Sequence, residues 1–193
     1  IRDRDEGDAH DWWVWHDAYP FEHFEEHVPR FMSEFGFQSF PSQKVIDYIM
    51  HGKQLDLSNG AIKSHQKHHR GFELINQYMA RDFPIPTNAE DYAYVSQLVQ
   101  AKGMRMGIEA HRRAKPYNMG TLYWQLNDCW PSISWSSIDY FGQWKALHYA
   151  AKEAFENVLI SFEQADDMLQ VYVVNDHLEV LDGTLYLSIR DFR

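Results

Sequence analysis

The stretch RFMSEFGFQSFPSQ, Arg30–Gln43, sets one carboxylate in a run of large apolar and aromatic side chains. Residues 30–35 are short, largely apolar and followed by Gly36, which is typical of a buried strand ending at the glycine. Glu34 therefore lies near the C-terminal end of this strand. Because burial of an unpaired charge is costly, Glu34 needs either a structural partner, with Arg30 as the nearest candidate, or a chemical task.

A second apolar run, GTLYWQL at Gly120–Leu126, also has strand character, and Asn127 and Asp128 follow it. In a (β/α)8 barrel the C-terminal ends of the strands carry the active site, so Glu34 and Trp124 are candidate site residues. A carboxylate held among aromatic rings suits a nucleophile that attacks the anomeric carbon of a sugar. The structural alternative, an ion-paired core glutamate, stays open on this pattern alone.

Helices are predicted between and after these strands. They cover the segment between Pro20 and Pro29, then 44–50, 65–83, 87–114 and 145–157. Thr87 and Glu90 have capping-box spacing at the start of the longest helix. Beyond residue 157, apolar and polar residues alternate over 158–162, 169–175 and 184–189, with a turn at Asp182-Gly183, which predicts strands of an all-β domain. Both ends of the chain are expected to be cut from a longer protein.

Composition excludes several classes of partner. The formal charge is -10, whereas nucleic acids and anionic membranes attract basic patches. No apolar run approaches the roughly 18 residues of a membrane span. Cys129 is the only cysteine, so an internal disulfide is impossible and the compartment stays open.

Two histidine patterns and the tryptophans have alternative explanations. His23–His27 spells HxxEH, a zinc pattern, but its helix is short and no third ligand is obvious. A surface helix is also favoured over a metal site for His65, His68 and His69, so no metal is predicted. Trp13 and Trp15 are expected on one face of an extended segment and Trp12 on the other. Core packing is the default for the remaining tryptophans, Trp130, Trp135 and Trp144.

The segments SEFGFQSFPS (Ser33–Ser42) and GTLYWQLNDCWPSISWSSIDYFGQWKALHYAAKEAF (Gly120–Phe155) resemble the β-mannosidases of glycoside hydrolase family 2. GDAHDWWVWH (Gly7–His16) and YVSQLVQAKGMRMGIEAHRR (Tyr94–Arg113) fit the same family. The resemblance implies an α/β fold. Residues 1–157 would be the C-terminal portion of a (β/α)8 TIM barrel, from about strands 6/7 to helix 8, and 158–193 would begin an immunoglobulin-like β-sandwich.

The resemblance also implies roles for individual residues. Glu34 would be the nucleophile of a retaining mechanism on the seventh barrel strand, and Trp124, on the eighth, would lie against the bound sugar. GDAHDWW would belong to a loop at the mouth of the pocket. Further candidate site residues stand in that loop and after the eighth strand: Asp8, His10, Trp13, Asn127 and Asp128. Asn127 and Asp128 would order the rim of the sugar site or bond hydroxyl groups.

One catalytic group of the family is not found in this sequence. The acid/base glutamate of the family stands in an Asn-Glu pair upstream of the nucleophile, and neither Glu109 nor Asp128 matches it. The parent is expected to be an exo-acting enzyme that releases terminal β-D-mannose from non-reducing ends without a cofactor. Its partners would be the carbohydrate substrate and the upstream remainder of the same protein. The isolated chain is expected to be inactive.

Two other functions stay open. One is a related family 2 exo-hydrolase for another sugar, such as a glucosaminidase. The other is a non-catalytic carbohydrate-binding or structural fragment, against which Glu34 argues, because a lectin gains little from a carboxylate aimed at an anomeric carbon. Localisation is open; for a glycan-degrading parent, a periplasmic, secreted or lysosomal site is favoured over the cytoplasm.

Overall fold

Three parallel chain segments position the residues singled out from the sequence. The computed structural model describes residues 6–165 and 167–191. Strand β1 (Ala9–Asp11) pairs in parallel with strand β2 (Met32–Phe35), and His10 is the register partner of Glu34. The amides of Leu122 and Trp124 donate to the carbonyl oxygens of Met32 and Phe35, each at 2.8 Å. The C-terminal ends of the three segments therefore lie along one edge.

Two predictions about these segments are wrong in part. Ala9–Asp11 is a strand and not a loop, since the amide of Ala9 donates to the carbonyl oxygen of Phe31 at 2.8 Å. Gly120–Leu126 is extended but not a regular strand. Its later residues turn away from β2, because the amide of Gln125 donates to the carbonyl oxygen of Trp135 at 3.2 Å. A cis peptide bond joins Trp124 to Gln125.

Helices pack around these segments. They are α1 (Trp13–Asp17), α2 (His23–Glu26), α3 (Gln43–Met50), α4 (Gly60–Ser64), α5 (Gly71–Asp82), α6 (Ala89–Arg113) and α7 (Ala146–Ala154). The predicted helix over 65–83 begins only at Gly71. Residues 65–67 instead exchange backbone hydrogen bonds with Ile133, which donates to the carbonyl oxygen of His65 at 2.9 Å and accepts from the amide of Lys67 at 3.2 Å.

The longest helix, α6, is continuous through its two internal glycines. A Cβ atom at Gly107 would lie 2.7 Å from Cε2 of Phe35, so this glycine allows the helix to approach β2. The N-cap is Asn88 and not the predicted Thr87. The Asn88 side chain accepts from the amide of Asp91 at 2.9 Å, which satisfies a free N–H group of the first turn.

Large buried aromatic side chains dominate the core. The largest that are fully buried are Trp15, Tyr78, Phe24, Phe35, Phe37 and Phe40. Edge-on ring pairs connect them, such as Trp15 with Phe37 at 5.0 Å and Phe24 with Phe35 at 5.2 Å. Phe35 therefore anchors β2 on its core side, beside Glu34.

A second compact unit begins at Glu156. In it, β3 (Val158–Ala165) pairs antiparallel with β4 (Met168–Asn175). The third predicted strand, over 184–189, is not formed. The side chains of this segment are exposed, with Tyr186 88% exposed. An alternating pattern does not form a stable strand unless its apolar face packs against another element. Within the described residues, no helix combines the length and apolar character needed to cross a membrane.

Candidate functional site

Glu34 lies at the C-terminal end of β2 with its side chain 28% exposed. The indole N–H of Trp12 donates to Oε1 of Glu34 at 2.8 Å, and Nδ1 of His10 lies 3.8 Å from the same oxygen. Arg30, the partner considered from the sequence, instead stacks over the Tyr117 ring at 5.2 Å. Arg30 and Glu34 are four positions apart, about 13 Å along an extended chain, and this distance keeps their side chains from pairing. The carboxylate is thus held by an N–H donor while it stays accessible.

Trp12 is the site residue that sequence reasoning missed. Trp13–Asp17 is helical, so the expected alternation of three tryptophans along an extended segment is wrong. Trp15 is fully buried, Trp13 packs against Tyr19 at 5.6 Å, and Trp12 contacts Glu34. The signal that could have found Trp12 is its position directly after β1, at the strand edge where barrel enzymes place their sites.

At Gly36 the ring of Trp12 and the backbone of Trp124 approach the chain closely. A Cβ atom at Gly36 would collide with the carbonyl oxygen of Trp124 and would lie 3.0 Å from Cη2 of Trp12. Gly36 is buried between these groups. Only glycine lacks the Cβ atom that would prevent so close an approach of the two backbones. In the SEFG sequence, the candidate nucleophile Glu34 is thus followed at position 36 by glycine, the one residue type without a Cβ atom.

Gly36→Ala is expected to destabilise the protein by about 1–3 kcal/mol, the usual cost of forcing extra atoms into a packed site. It should also lower kcat, because the added methyl group pushes Trp12 and Trp124 away from Glu34. Thermal unfolding and steady-state kinetics of the full-length protein measure both effects. Gly60→Ala is the matched control, since a Cβ atom there has no neighbour within 4 Å. Equal behaviour of the two variants would contradict this packing account.

Asp8 and His10 line one flank of Glu34. Ser33 Oγ donates to Asp8 Oδ2 at 2.7 Å, and Nε2 of His10 is 3.9 Å from the same carboxylate oxygen. The side chains of Asp8 and His10 are 48% and 57% exposed. The structure thus places both polar residues near Glu34, where they are accessible to a ligand.

The other predicted site residues differ in exposure and in whether the structure brings them to Glu34. Trp124 is 45% exposed, and its backbone amide donates to the carbonyl oxygen of Phe35 in β2. Asn127 is exposed, and its carbonyl oxygen accepts from Nε2 of Gln125 at 2.7 Å. Asp128 is 5% exposed and Trp13 is half-buried beside Tyr19, so the structure does not bring these two to the carboxylate of Glu34.

Asp128 fixes the loop that follows Trp124. Its Oδ1 accepts from Lys67 Nζ at 2.9 Å and from Ser132 Oγ at 3.2 Å. Its Oδ2 accepts from Ser134 at 2.7 Å and from Ser136 at 2.6 Å. These four contacts occupy both carboxylate oxygens, which favours the predicted ordering of the rim of the sugar site over direct contact with sugar hydroxyls.

Lys145 lies beneath the same loop and is almost fully buried. Its Nζ atom bonds the carbonyl oxygens of Ser39 and Ser134, both at 3.3 Å. Burial lowers the pKa of Lys145 to about 7, although the charges of Asp128 and Asp139 act in the opposite direction. This amine links the chain after β2 to the loop after Trp124.

The buried amine predicts a pH dependence of stability. Unfolded Lys145 binds a proton up to its ordinary pKa of 10.5, whereas folded Lys145 releases it above about 7, so stability rises between these values. Lys145→Met removes this contribution. The melting temperature of wild type minus that of the variant should therefore increase from pH 7 to pH 10. A difference that stays constant over this range would contradict the burial of a titrating amine.

Neither histidine pattern forms a metal site in the described part of the chain, where no group of three or more histidine, cysteine or acidic side chains could hold an ion. The HxxEH helix, α2, has only four residues. His23 is buried with Nε2 3.2 Å from Asp11 Oδ2, and its ring stacks on His27 at 4.4 Å. His65 and His69 do not share a helix face, because both lie outside α4 and α5.

Comparisons with known proteins point to one group of enzymes. A β-mannosidase B of Aspergillus niger is 34% identical over 159 residues, and a β-mannosidase of Capra hircus is 33% identical over 184 residues. These alignments cover 80% and 88% of this chain, but 19% and 21% of the relatives. No protein-family model matches the chain.

Solved structures show the same relationship. The β-D-mannosidase of Dictyoglomus thermophilum superposes with a TM-score of 0.88 at 37% identity, over 92% of this chain and 22% of that enzyme. An exo-chitosanase of Amycolatopsis orientalis shares the fold, with a TM-score of 0.61 at 19% identity, over 87% of this chain and 21% of its own. The chain thus spans about a fifth of the length of the relatives it matches. Over most of its own length, this chain is similar to one part of the β-mannosidases.

Proposed function

We propose that this chain supplies the nucleophile side of the active site of a retaining exo-β-mannosidase. The observation that carries the proposal is the setting of Glu34: a partly exposed carboxylate near the end of β2, held by the Trp12 N–H at 2.8 Å and next to Phe35, whose carbonyl oxygen accepts from the Trp124 amide. Similarity to β-mannosidases of fungal, mammalian and bacterial origin supports the choice of sugar.

The proposal places the three parallel segments in a (β/α)8 barrel. β1, β2 and residues 120–124 would be its sixth, seventh and eighth strands. Their shared C-terminal edge carries Glu34, Trp12 and Trp124, which suits the edge where such barrels bind substrate. The β3–β4 hairpin would begin the β-sandwich domain that follows the barrel.

The proposed chemistry is a double displacement. Trp12 holds Oε1 of Glu34, so the other carboxylate oxygen attacks the anomeric carbon and forms a glycosyl ester as the bond to the leaving oxygen breaks. A second carboxylic acid protonates that oxygen. It then deprotonates a water, which attacks the anomeric carbon and releases Glu34 as a carboxylate. Trp124 would form a wall against the sugar ring, and Asp8, His10 and Asn127 would bond its hydroxyl groups.

The acid/base group is proposed to come from outside this chain. Two carboxyl groups of a retaining enzyme stand about 5–5.5 Å apart. Glu109 is on α6 and is paired with Arg105 Nε at 2.6 Å. Asp128 is enclosed by Lys67 and three serines. Neither has the accessible position that the acid requires.

A panel of nitrophenyl β-glycosides tested on the full-length protein addresses the proposal directly. Hydrolysis of the β-mannoside with retention at the anomeric carbon is the expected result. Preference for the β-glucosaminide would assign the protein to a related exo-hydrolase. Absence of turnover on every β-glycoside would favour a non-catalytic protein. The isolated 193-residue chain should be inactive on the whole panel.

A further inference from the structure

Trp135, in the loop after Trp124, contacts both chain segments that stand beside Glu34. Its ring packs edge-on against Trp12, with the ring centroids 6.0 Å apart and the planes at 79°. Its carbonyl oxygen accepts from the amide of Gln125, the residue directly after Trp124, at 3.2 Å. One residue thus joins the indole that donates to Glu34 to the segment that carries the exposed Trp124 ring.

The main chain around Trp135 is fixed by hydrogen bonds. The hydroxyl groups of Ser134 and Ser136, on either side of it, donate to Oδ2 of Asp128 at 2.7 Å and 2.6 Å. The amide Nε2 of Gln100, a fully buried side chain, donates to the carbonyl oxygen of Trp135 at 3.2 Å. The point from which the Trp135 ring projects is therefore held from both directions along the chain.

The ring of Trp135 is also held by neighbouring rings. It packs edge-on against the fully buried Trp15 at 5.9 Å and against His68 at 6.4 Å. Within the described residues its Nε1 atom has no hydrogen-bond partner, so the contacts of this side chain are those of the ring. Trp135 therefore presents a fixed ring to Trp12.

The hydrogen bond from Trp12 to Glu34 depends on how the Trp12 ring is turned. An N–H···O bond weakens steeply as its angle departs from linearity, and a tryptophan side chain can rotate about two bonds. Ring contacts with Trp135 at 6.0 Å and with His16 at 5.4 Å restrict that rotation. The packing around Trp12 thus supports the 2.8 Å contact with the carboxylate.

We propose that Trp135 is a positioning residue, which keeps the Trp12 indole aligned with the carboxylate of Glu34. The inference rests on the proposed function and deepens it, because it adds a residue that acts on the nucleophile through Trp12. Loss of the Trp135 ring would leave the N–H donor present but poorly directed. Hydrolysis of the glycosyl ester, in which Glu34 departs as a carboxylate, is the step that depends on this donor.

The test is a double-mutant cycle on the full-length protein, with kcat on an activated β-mannoside as the measured quantity. Trp135→Leu should lower kcat about three- to tenfold, the value of one aromatic pair. In a Trp12→Phe background no indole N–H remains to be directed, so Trp135→Leu should leave kcat unchanged there. Trp135→Phe is the milder variant, which keeps an aromatic ring and guards against a folding defect. It should show the same dependence on Trp12 with a smaller loss.

Trp130→Leu is the matched control, since Trp130 is a half-buried tryptophan of the same loop whose ring packs on His65 at 5.3 Å. It should leave kcat unchanged in both backgrounds. A merely structural role of Trp135 would lower kcat equally in both backgrounds, because a loosened loop harms the site with or without the indole.

The outcomes separate this inference from the proposed function. Equal losses in the two backgrounds, or an unchanged kcat in both Trp135 variants, would overturn the inference while β-mannosidase activity stands. Absence of turnover by the wild-type protein on the β-mannoside would overturn the proposed function and the inference together. A loss of kcat that disappears in the Trp12→Phe background supports the positioning role.

Discussion

Glu34→Gln is expected to lower kcat of the full-length protein on β-mannosides by at least about 10⁴-fold, the scale on which enzymes lose activity without their nucleophile. The amide keeps the size of the side chain but is too weak a nucleophile to form the glycosyl ester. Folding should be little affected, since the side chain is partly exposed. Steady-state kinetics on an activated β-mannoside measure the loss.

The matched control is Glu26→Gln, at a carboxylate that is 66% exposed and 3.9 Å from His27. It should retain wild-type kcat. Loss of less than about tenfold in Glu34→Gln would assign nucleophilic attack to another group. Rescue of Glu34→Ala, which leaves space for azide, with formation of an α-mannosyl azide would identify attack at the face that Glu34 normally occupies.

Trp12→Phe should lower kcat by about 10- to 100-fold. Hydrogen bonds to charged groups contribute about 1.5–3 kcal/mol, and phenylalanine removes the indole N–H that Glu34 accepts at 2.8 Å. Glu34 departs as a carboxylate in the second step, so loss of this donor should slow hydrolysis of the ester most. A burst of leaving group in rapid-mixing experiments, followed by slow turnover, is the expected signature.

Trp13→Phe is the control for this prediction, because Trp13 packs against Tyr19. It should show neither the burst nor the loss in kcat. If Trp12→Phe were as active as wild type, the N–H contact would be incidental to the reaction. If it lost activity without accumulation of the ester, Trp12 would act on the first step instead.

Much of the site follows from local sequence rules. Glu34 before Gly36 marks the end of a short strand, and the structure places Glu34 there. Trp124 was predicted from the same rule, and its amide bonds β2 beside Glu34. These predictions depend on strand periodicity and strand-end position, which neighbouring residues largely determine.

The rest depends on contacts that sequence order hides. Trp12 donates to Glu34, which lies 22 positions away in sequence. The residues next to Trp12 in sequence predict only an extended segment. The position of Asp128 after an apolar run does not predict its partner Lys67, which lies 61 positions away and pairs with it within a buried loop. Residues 65–70 have helical periodicity, yet bonds to Ile133 keep them out of a helix. Tertiary hydrogen bonds outweighed local propensity at each of these places.

The central claim, that Glu34 forms a covalent bond to mannose, is tested most directly by trapping the intermediate. A 2-deoxy-2-fluoro-β-mannosyl donor slows both steps and lets the glycosyl ester accumulate on the full-length protein. Peptide mass spectrometry should then find one fluoromannosyl group, attached to the peptide at Glu34. A label on any other carboxylate, or time-dependent turnover through an inverted product without a label, would contradict the account.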